Sequence, residues 1–162
     1  MMALKQLLPP RDNCAITCYG VIYSYDNMGN LLSLSREGDM TSSLKGIVDN
    51  LSMTYDGNML ASVSDSAPAP SVTGSADFRD GASMAVEYTY DRNGNMTSDL
   101  NRRISSVSYN RQNRPVRIKH SGGTETFTYL PDGTKRERTA LGKDWSLSRT
   151  EYRGNLVCAD DS

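Results

Sequence analysis

A short phrase recurs along this chain: a large apolar residue, Ser or Thr, Tyr, and then in most copies Asp, Gly and Asn. Tyr23-Ser24-Tyr25-Asp26 runs into Gly29-Asn30, Met53-Thr54-Tyr55-Asp56 into Gly57-Asn58, and Tyr88-Thr89-Tyr90-Asp91 into Gly94-Asn95. Val107-Ser108-Tyr109-Asn110 and Phe127-Thr128-Tyr129 keep the first half, and Tyr152-Arg153-Gly154-Asn155 keeps mainly the second. Recurrence on this scale makes a row of similar units, and such rows build extended surfaces more readily than a single cleft.

The first half of the phrase predicts a strand. Residues two apart share a strand face, which groups Val21, Tyr23 and Tyr25, then Leu51, Met53 and Tyr55, then Val86, Tyr88 and Tyr90. Val107 with Tyr109 and Phe127 with Tyr129 obey the same rule, and the positions between are small and polar: Ser24, Thr54, Thr89, Ser108 and Thr128. One apolar face at period two argues for antiparallel sheet. The second half predicts a turn, because Asp bonds its own backbone two residues on, Gly reaches positive φ and Asn tolerates left-handed geometry. Asp26-Asn27-Met28-Gly29 and Asp91-Arg92-Asn93-Gly94 fit hairpin loops of about four residues; Asp56-Gly57 is a tighter variant, and Pro131-Asp132-Gly133 marks another turn. Second strands are expected at 31–34, 59–63, 116–120, 134–139 and 156–158.

The signature tyrosines Tyr25, Tyr55 and Tyr90 lie 30 and 35 residues apart; Tyr109, Tyr129 and Tyr152 then follow at steps of 19, 20 and 23. Two strands and two turns fill about 20 residues, so the early steps contain insertions. The Ser-, Ala- and Pro-rich residues 64–83 read as a surface insertion, not a domain boundary. The expected architecture is all-β: an antiparallel β-meander of hairpins in a curved open sheet over residues 20–162, after a poorly ordered flank at 1–19.

A formal net charge of −1 gives no strong field toward nucleic acid or anionic membrane. Basic residues gather late, but strand parity places Arg117 and Lys119 opposite Val116 and Ile118, as on a solvated face. No transmembrane run is present. Met1 to Pro10 makes a poor secretion signal, which suggests export by another route or a fragment of a longer protein. Cys14, Cys18 and Cys158 make no disulfide framework, and Cys14 and Cys18 lack the partners of a zinc site, the one histidine being His120.

No catalytic, cofactor or metal residue emerges. His120 shares parity with Val116 and Ile118 and reads as a packed or partly exposed side chain. A serine–histidine–acid triad has no nucleophile-elbow phrase to support it. Asp26 to Asn30 and Asp91 to Asn95 lack the alternating oxygens and closing Glu of a calcium loop. Gly122-Gly123 reads as a hairpin and not a phosphate loop, and Trp145, near a turn, as a cap on the sheet. Nine tyrosines against one Trp and two Phe raise the possibility of a sugar-stacking face, although Tyr also suits a half-buried pleated surface.

These units resemble the YD repeats of Rhs-type (rearrangement hotspot) proteins, in the segment upstream of the Rhs core. The residues that carry the resemblance are Tyr25, Asp26, Gly29 and Asn30; Tyr55, Asp56, Gly57 and Asn58; and Tyr90, Asp91, Gly94 and Asn95. Tyr109, Tyr129, Asp132 and Gly133 continue it, as do Tyr152, Gly154 and Asn155. Departures are Asn110 and Leu130 at Asp positions, and Asn113-Arg114 in place of Gly-Asn. The resemblance implies a β-ribbon spiralling into a hollow shell, secreted or at the cell surface, which in bacterial relatives encloses a C-terminal toxin. The implied partners are the remaining repeats and the core of such a shell, with an enclosed toxin. Adhesive relatives imply the alternative, a module binding a glycan or a surface protein. Self-cleaving relatives have an Asp-Pro-rich core; this chain has no Asp-Pro pair, so catalysis is not expected in it and the role is structural.

Overall fold

The computed structural model describes residues 20–72 and 77–161. The expected flank at 1–19, with Cys14 and Cys18, lies outside the described residues. Those residues hold no helix and twelve strands. In chain order these are β1 (Val21–Tyr25), β2 (Leu31–Asp39), β3 (Lys45–Asp56), β4 (Met59–Asp65), β5 (Tyr88–Tyr90) and β6 (Met96–Asp99). Then follow β7 (Ile104–Tyr109), β8 (Pro115–His120), β9 (Gly123–Tyr129), β10 (Lys135–Gly142), β11 (Leu147–Arg153) and β12 (Leu156–Asp161). Within each sheet every strand pairs antiparallel with its neighbours in the chain, so the fold is an all-β meander of open sheets.

The meander is divided into two sheets, one of four strands (β1–β4) and one of eight (β5–β12). The division falls where β4 ends at Asp65 and β5 begins at Tyr88. A seam still joins the two: Glu87 N donates to Ala61 O at 2.7 Å, and Val63 N donates to Glu87 Oε2 at 3.0 Å. The main apolar cluster straddles the seam, with Leu51, Val63 and Tyr88 buried and Leu34, Met53, Leu60, Phe78, Tyr90 and Met96 packed on them.

Of the described residues between the two sheets, Phe78 joins this core. Phe78 covers the cluster, and its backbone N donates to Asp49 Oδ1 at 2.8 Å. Gly81 N and Ala82 N both donate to Asn101 Oδ1 at 2.9 Å, which fastens the segment to the eight-stranded sheet. Asp49 is only 1% exposed and is ion-paired with Arg36 on the adjacent strand. A register shift between Arg36 and Glu37 leaves Val48 without a cross-strand partner, and Val48 and Asp49 are buried together there.

The one-sided patterning of the phrase holds in β3, β5, β7 and β9, where apolar residues and Tyr are buried or half-buried and Thr54, Thr89, Ser108 and Thr128 are exposed. It fails in β1. Val21, Tyr23 and Tyr25 were expected on a packed face, yet every residue of β1 is exposed. Among the described residues β1 has β2 alone as neighbour, so no second described strand flanks its rings. Val86 is also exposed and precedes β5 rather than belonging to it.

Candidate functional site

The recurring turns come first, because they set the register of everything beside them. In β1–β2, Asp26 N donates to Asn30 O at 2.9 Å and Gly29 N donates to Asp26 O at 3.3 Å. The same two bonds close Asp91–Asn95, Asn110–Arg114, Leu130–Thr134 and Gly142–Ser146. The loops therefore hold three residues between their closing pair, one fewer than the sequence suggested. The geometry is a tight turn followed by a left-handed residue. That residue is Gly29, Gly94, Asn113, Gly133 or Trp145, with φ between 56° (Asn113) and 87° (Gly29). Gly57 and Gly154, at φ 61° and 60°, begin two-residue loops closed by Asp56 with Met59 and by Arg153 with Leu156. Trp145 does not cap the sheet as expected: it is 82% exposed at the turn between β10 and β11.

The acidic position of the phrase holds its turn from inside. Asp26 Oδ1 accepts from Met28 N and Asn30 N, and Oδ2 accepts from Asn30 Nδ2, all at 2.8 Å. Asp91 does the same with Asn93 N, Asn95 N and Asn95 Nδ2, each at 2.9 Å. These bonds, the Asn side chain first, hold both carboxyls below the usual aspartate range. Asn110 substitutes for Asp with its amide oxygen, accepting from Gln112 N and Arg114 N. In the Leu130 turn, Asp132 caps Thr134 N instead.

A second regularity was not visible in the phrase. In five hairpins the register shifts by one residue between the signature Tyr and the residue before it: at Ser24/Tyr25, Thr54/Tyr55, Thr89/Tyr90, Ser108/Tyr109, and in β9–β10 at Lys135/Glu137, opposite Thr128/Tyr129. After the shift Tyr25 pairs with Leu31, Tyr55 with Leu60, Tyr90 with Met96, Tyr109 with Pro115 and Tyr129 with Lys135. In the last four of these hairpins the ring reaches toward the preceding hairpin.

A ladder of hydroxyl-to-carbonyl bonds results. Tyr55 OH donates to Leu31 O at 2.9 Å, Tyr90 OH to Leu60 O at 3.0 Å, Tyr109 OH to Met96 O at 2.7 Å and Tyr129 OH to Pro115 O at 2.8 Å. Each acceptor is the residue paired with the preceding signature Tyr. The rung from Tyr90 crosses the seam between the sheets. Burial raises the pKa of Tyr90, Tyr109 and Tyr129, so these hydroxyls stay protonated as donors. Tyr152 has no register shift in its hairpin, and its ring lies 5.9 Å from the Lys135 ammonium, beside the residue paired with Tyr129.

Neighbouring loops also touch. Asn30 Nδ2 donates to Asn58 Oδ1 at 3.3 Å, Asn95 Nδ2 to Asn113 Oδ1 at 2.9 Å, and Gln112 Nε2 to Pro131 O at 3.1 Å. The signature residues Tyr25, Asp26, Gly29, Asn30, Tyr55, Gly57, Asn58, Tyr90, Asp91, Gly94, Asn95, Tyr109, Tyr129 and Gly133 thus lie in one row of rings and loops. Asp56, Asp132, Tyr152, Gly154 and Asn155 sit in the same hairpin ends. Asn113 serves as the acceptor between two loops and carried no signal in the phrase, because it stands where other copies have Gly.

Two polar clusters lie outside the row. Glu87, buried at the seam, accepts from Val63 N and Asn101 Nδ2. Carboxylate oxygens of Asp49, Asp65 and Asp77 come within 4.8 Å of one another. Asp49 is already paired with Arg36, and Asp65 Oδ1 already accepts from Asn50 N and Ala67 N. Burial, then the charges of Asp49 and Asp65, raise the Asp77 pKa. His120 Nδ1 accepts from Gly122 N at 3.1 Å, and its Nε2 lies 3.8 Å from Glu125 Oε1, so it caps the β8–β9 turn.

No family model matches this chain, and no curated protein matches it. No helix among the described residues is long and apolar enough to cross a membrane.

Proposed function

We propose that this chain is a structural segment, without catalysis of its own, of the wall of an Rhs-type shell that encloses a C-terminal toxin or effector. The reading rests on the resemblance of the Tyr-Asp-x-x-Gly-Asn phrases together with one observation. Four successive signature tyrosines donate to the carbonyl of the hairpin before them, including across the seam. A bond made in the same sense from each unit to its predecessor lets a sheet extend by adding hairpins, which suits a wall. Wide open sheets with few buried residues suit a wall better than a catalytic cleft. In this reading the partners are further hairpins and the shell core, and the protein acts secreted or at a cell surface.

The test is protease protection. A polypeptide carrying this chain with its native flanking sequence should shield the flanking cargo from a protease that digests the cargo alone within minutes. Equal digestion rates with and without the wall would overturn the reading.

The exposed rings of Tyr23 and Tyr25, stacked with centroids 6.3 Å apart, favour a second reading, recognition of a glycan or a surface protein. Glycan-array binding abolished by Tyr23→Ala and Tyr25→Ala would support it over the wall.

A further inference from the structure

We propose that the hairpin tip between β10 and β11 anchors the chain to a phospholipid surface, with the Trp145 indole as the group that inserts. The first observation is the backbone. Gly142 N donates to Ser146 O at 2.9 Å, which closes the same three-residue loop as in four other hairpins. The left-handed position of those loops holds glycine in three and Asn113 in the fourth; here it holds Trp145, at φ 67°. A bulky residue is strained in that conformation, whereas glycine adopts it freely. Packing inside the fold does not offset the strain, because Trp145 is 82% exposed.

The second observation is the chemistry around the tip. Gly123 pairs with Gly142, and Lys143 N donates to Gly122 O at 3.1 Å, so the neighbouring β8–β9 turn lies level with Lys143, at the base of the loop. That turn does not wall in the indole. Below the closing bond Leu141 faces Leu147 across the hairpin, and the two are 38% and 45% exposed. Lys143 is exposed in the loop itself. Ser121 N donates to Arg103 O at 3.1 Å, which sets a second exposed cation one turn further along the row. An open indole with leucines beneath it and cations beside it has the composition of a membrane-interface anchor.

These features favour a bilayer over a sugar or a protein. A sugar stacked on an indole also needs polar groups around it. The adjacent carboxylate is turned away: Asp144 Oδ1 accepts from Ser146 N at 3.1 Å and from Ser146 Oγ at 2.6 Å. A protein would have to supply a pocket shaped to the exposed ring, whereas fluid lipid closes around it. The net charge of −1 gives no long-range field, so Lys143 and Arg103 act on headgroups at close range, with Asp144 opposing them. The inference goes beyond the wall reading and is independent of it, since it needs neither cargo nor further hairpins.

Trp145 is the one tryptophan of the chain, so its fluorescence reports on the tip alone. With vesicles of phosphatidylcholine and phosphatidylserine, the emission of the purified chain should shift to the blue, and lipids brominated on their acyl chains should quench it. Trp145→Gly should lower vesicle binding about tenfold, measured by co-sedimentation. The same variant should melt about 3 °C higher, because glycine removes the strain at φ 67°. Trp145→Asn, which matches Asn113 in its loop, gives a second folded variant with the same loss of binding. Lys143→Gln should weaken binding to these vesicles about fivefold. Unshifted emission would overturn the proposal, and binding to a glycan array through Trp145 would then replace it. So would a Trp145→Gly chain that binds vesicles as the wild type does, or one that melts lower, because the ring would then be holding the fold. A Lys143→Gln chain that keeps full binding would do the same.

Discussion

The two sheets obtain their cohesion differently. In the four-stranded sheet the deepest group is a charge: Asp49, paired with Arg36, holds Phe78 over the apolar cluster through its backbone N–H. The eight-stranded sheet also buries an acid, Asp99 at the end of β6, but its partner is Arg102, three residues on, which donates its backbone N to Asp99 Oδ1. Val107 and Phe127 are its buried apolar residues beyond the seam, and the Tyr109 and Tyr129 hydroxyls tie hairpin to hairpin. One sheet depends on a distant segment folding back over it; the other depends on contacts between sequence neighbours. Damage should therefore spread in the first and stay local in the second.

Asp49→Ala should give the largest effect, about 3 kcal/mol, because it leaves the Arg36 charge and the Phe78 N–H without their acceptor. Thermal denaturation reads the loss, and hydrogen exchange should locate it in β2–β4 and residues 77–82. A loss confined to the far strands β9–β12 would contradict the division. Gly123→Ala should cost about 2 kcal/mol on the other side. Gly123 sits at φ 151°, and an added Cβ would come 2.1 Å from Leu141 O, so β9 and β10 must separate there. Exchange should quicken in β9 and β10 while β2–β4 keep their protection.

Tyr109→Phe removes one rung and should cost about 1 kcal/mol, measured by denaturant titration. Tyr25→Phe should cost less, because Tyr25 is 59% exposed whereas the Tyr109 hydroxyl is bonded to Met96 O. Equal costs at the two positions would break the ladder.

Acid should separate the regions more finely. The Asp26 and Asp91 carboxyls are held low by their turns, so their contribution is present above the unfolded aspartate value of about 4 and is lost as pH falls through the lower folded values. Asp77 has the opposite sign. Its folded pKa is raised, so its ionised form opposes folding above that value, and protonation as pH falls relieves first the cost of burying the charge and then the repulsion from Asp49 and Asp65. Arg36 and Arg79 moderate that repulsion. Carboxyl chemical shifts should show Asp77 protonating first on acidification and Asp26 and Asp91 last. The reverse order would remove the contrast.

Much of the row was legible in residue order. Alternation placed Leu51, Met53 and Tyr55 on one face, and the Asp-to-Gly spacing marked the loops. The phrase set Asn113 where other copies have Gly, but sequence did not reveal that Trp145 occupies the same left-handed position, because the backbone bonds that impose it are shared by residues with no common side chain. Nor did it single out Asp49, Phe78, Glu87 and Asn101. These act across 14 to 29 residues of chain, and no local pattern brings such residues together.

Residue order by itself determined the alternation of strands and turns, since face parity and positive-φ loops are settled within a few neighbouring residues. Only the tertiary structure decided where each tyrosine hydroxyl lands, which rings are covered and where the sheet divides. A single skipped residue in the pairing turns a ring toward the preceding hairpin, and whether a strand's rings are covered depends on a neighbour that its own sequence does not specify.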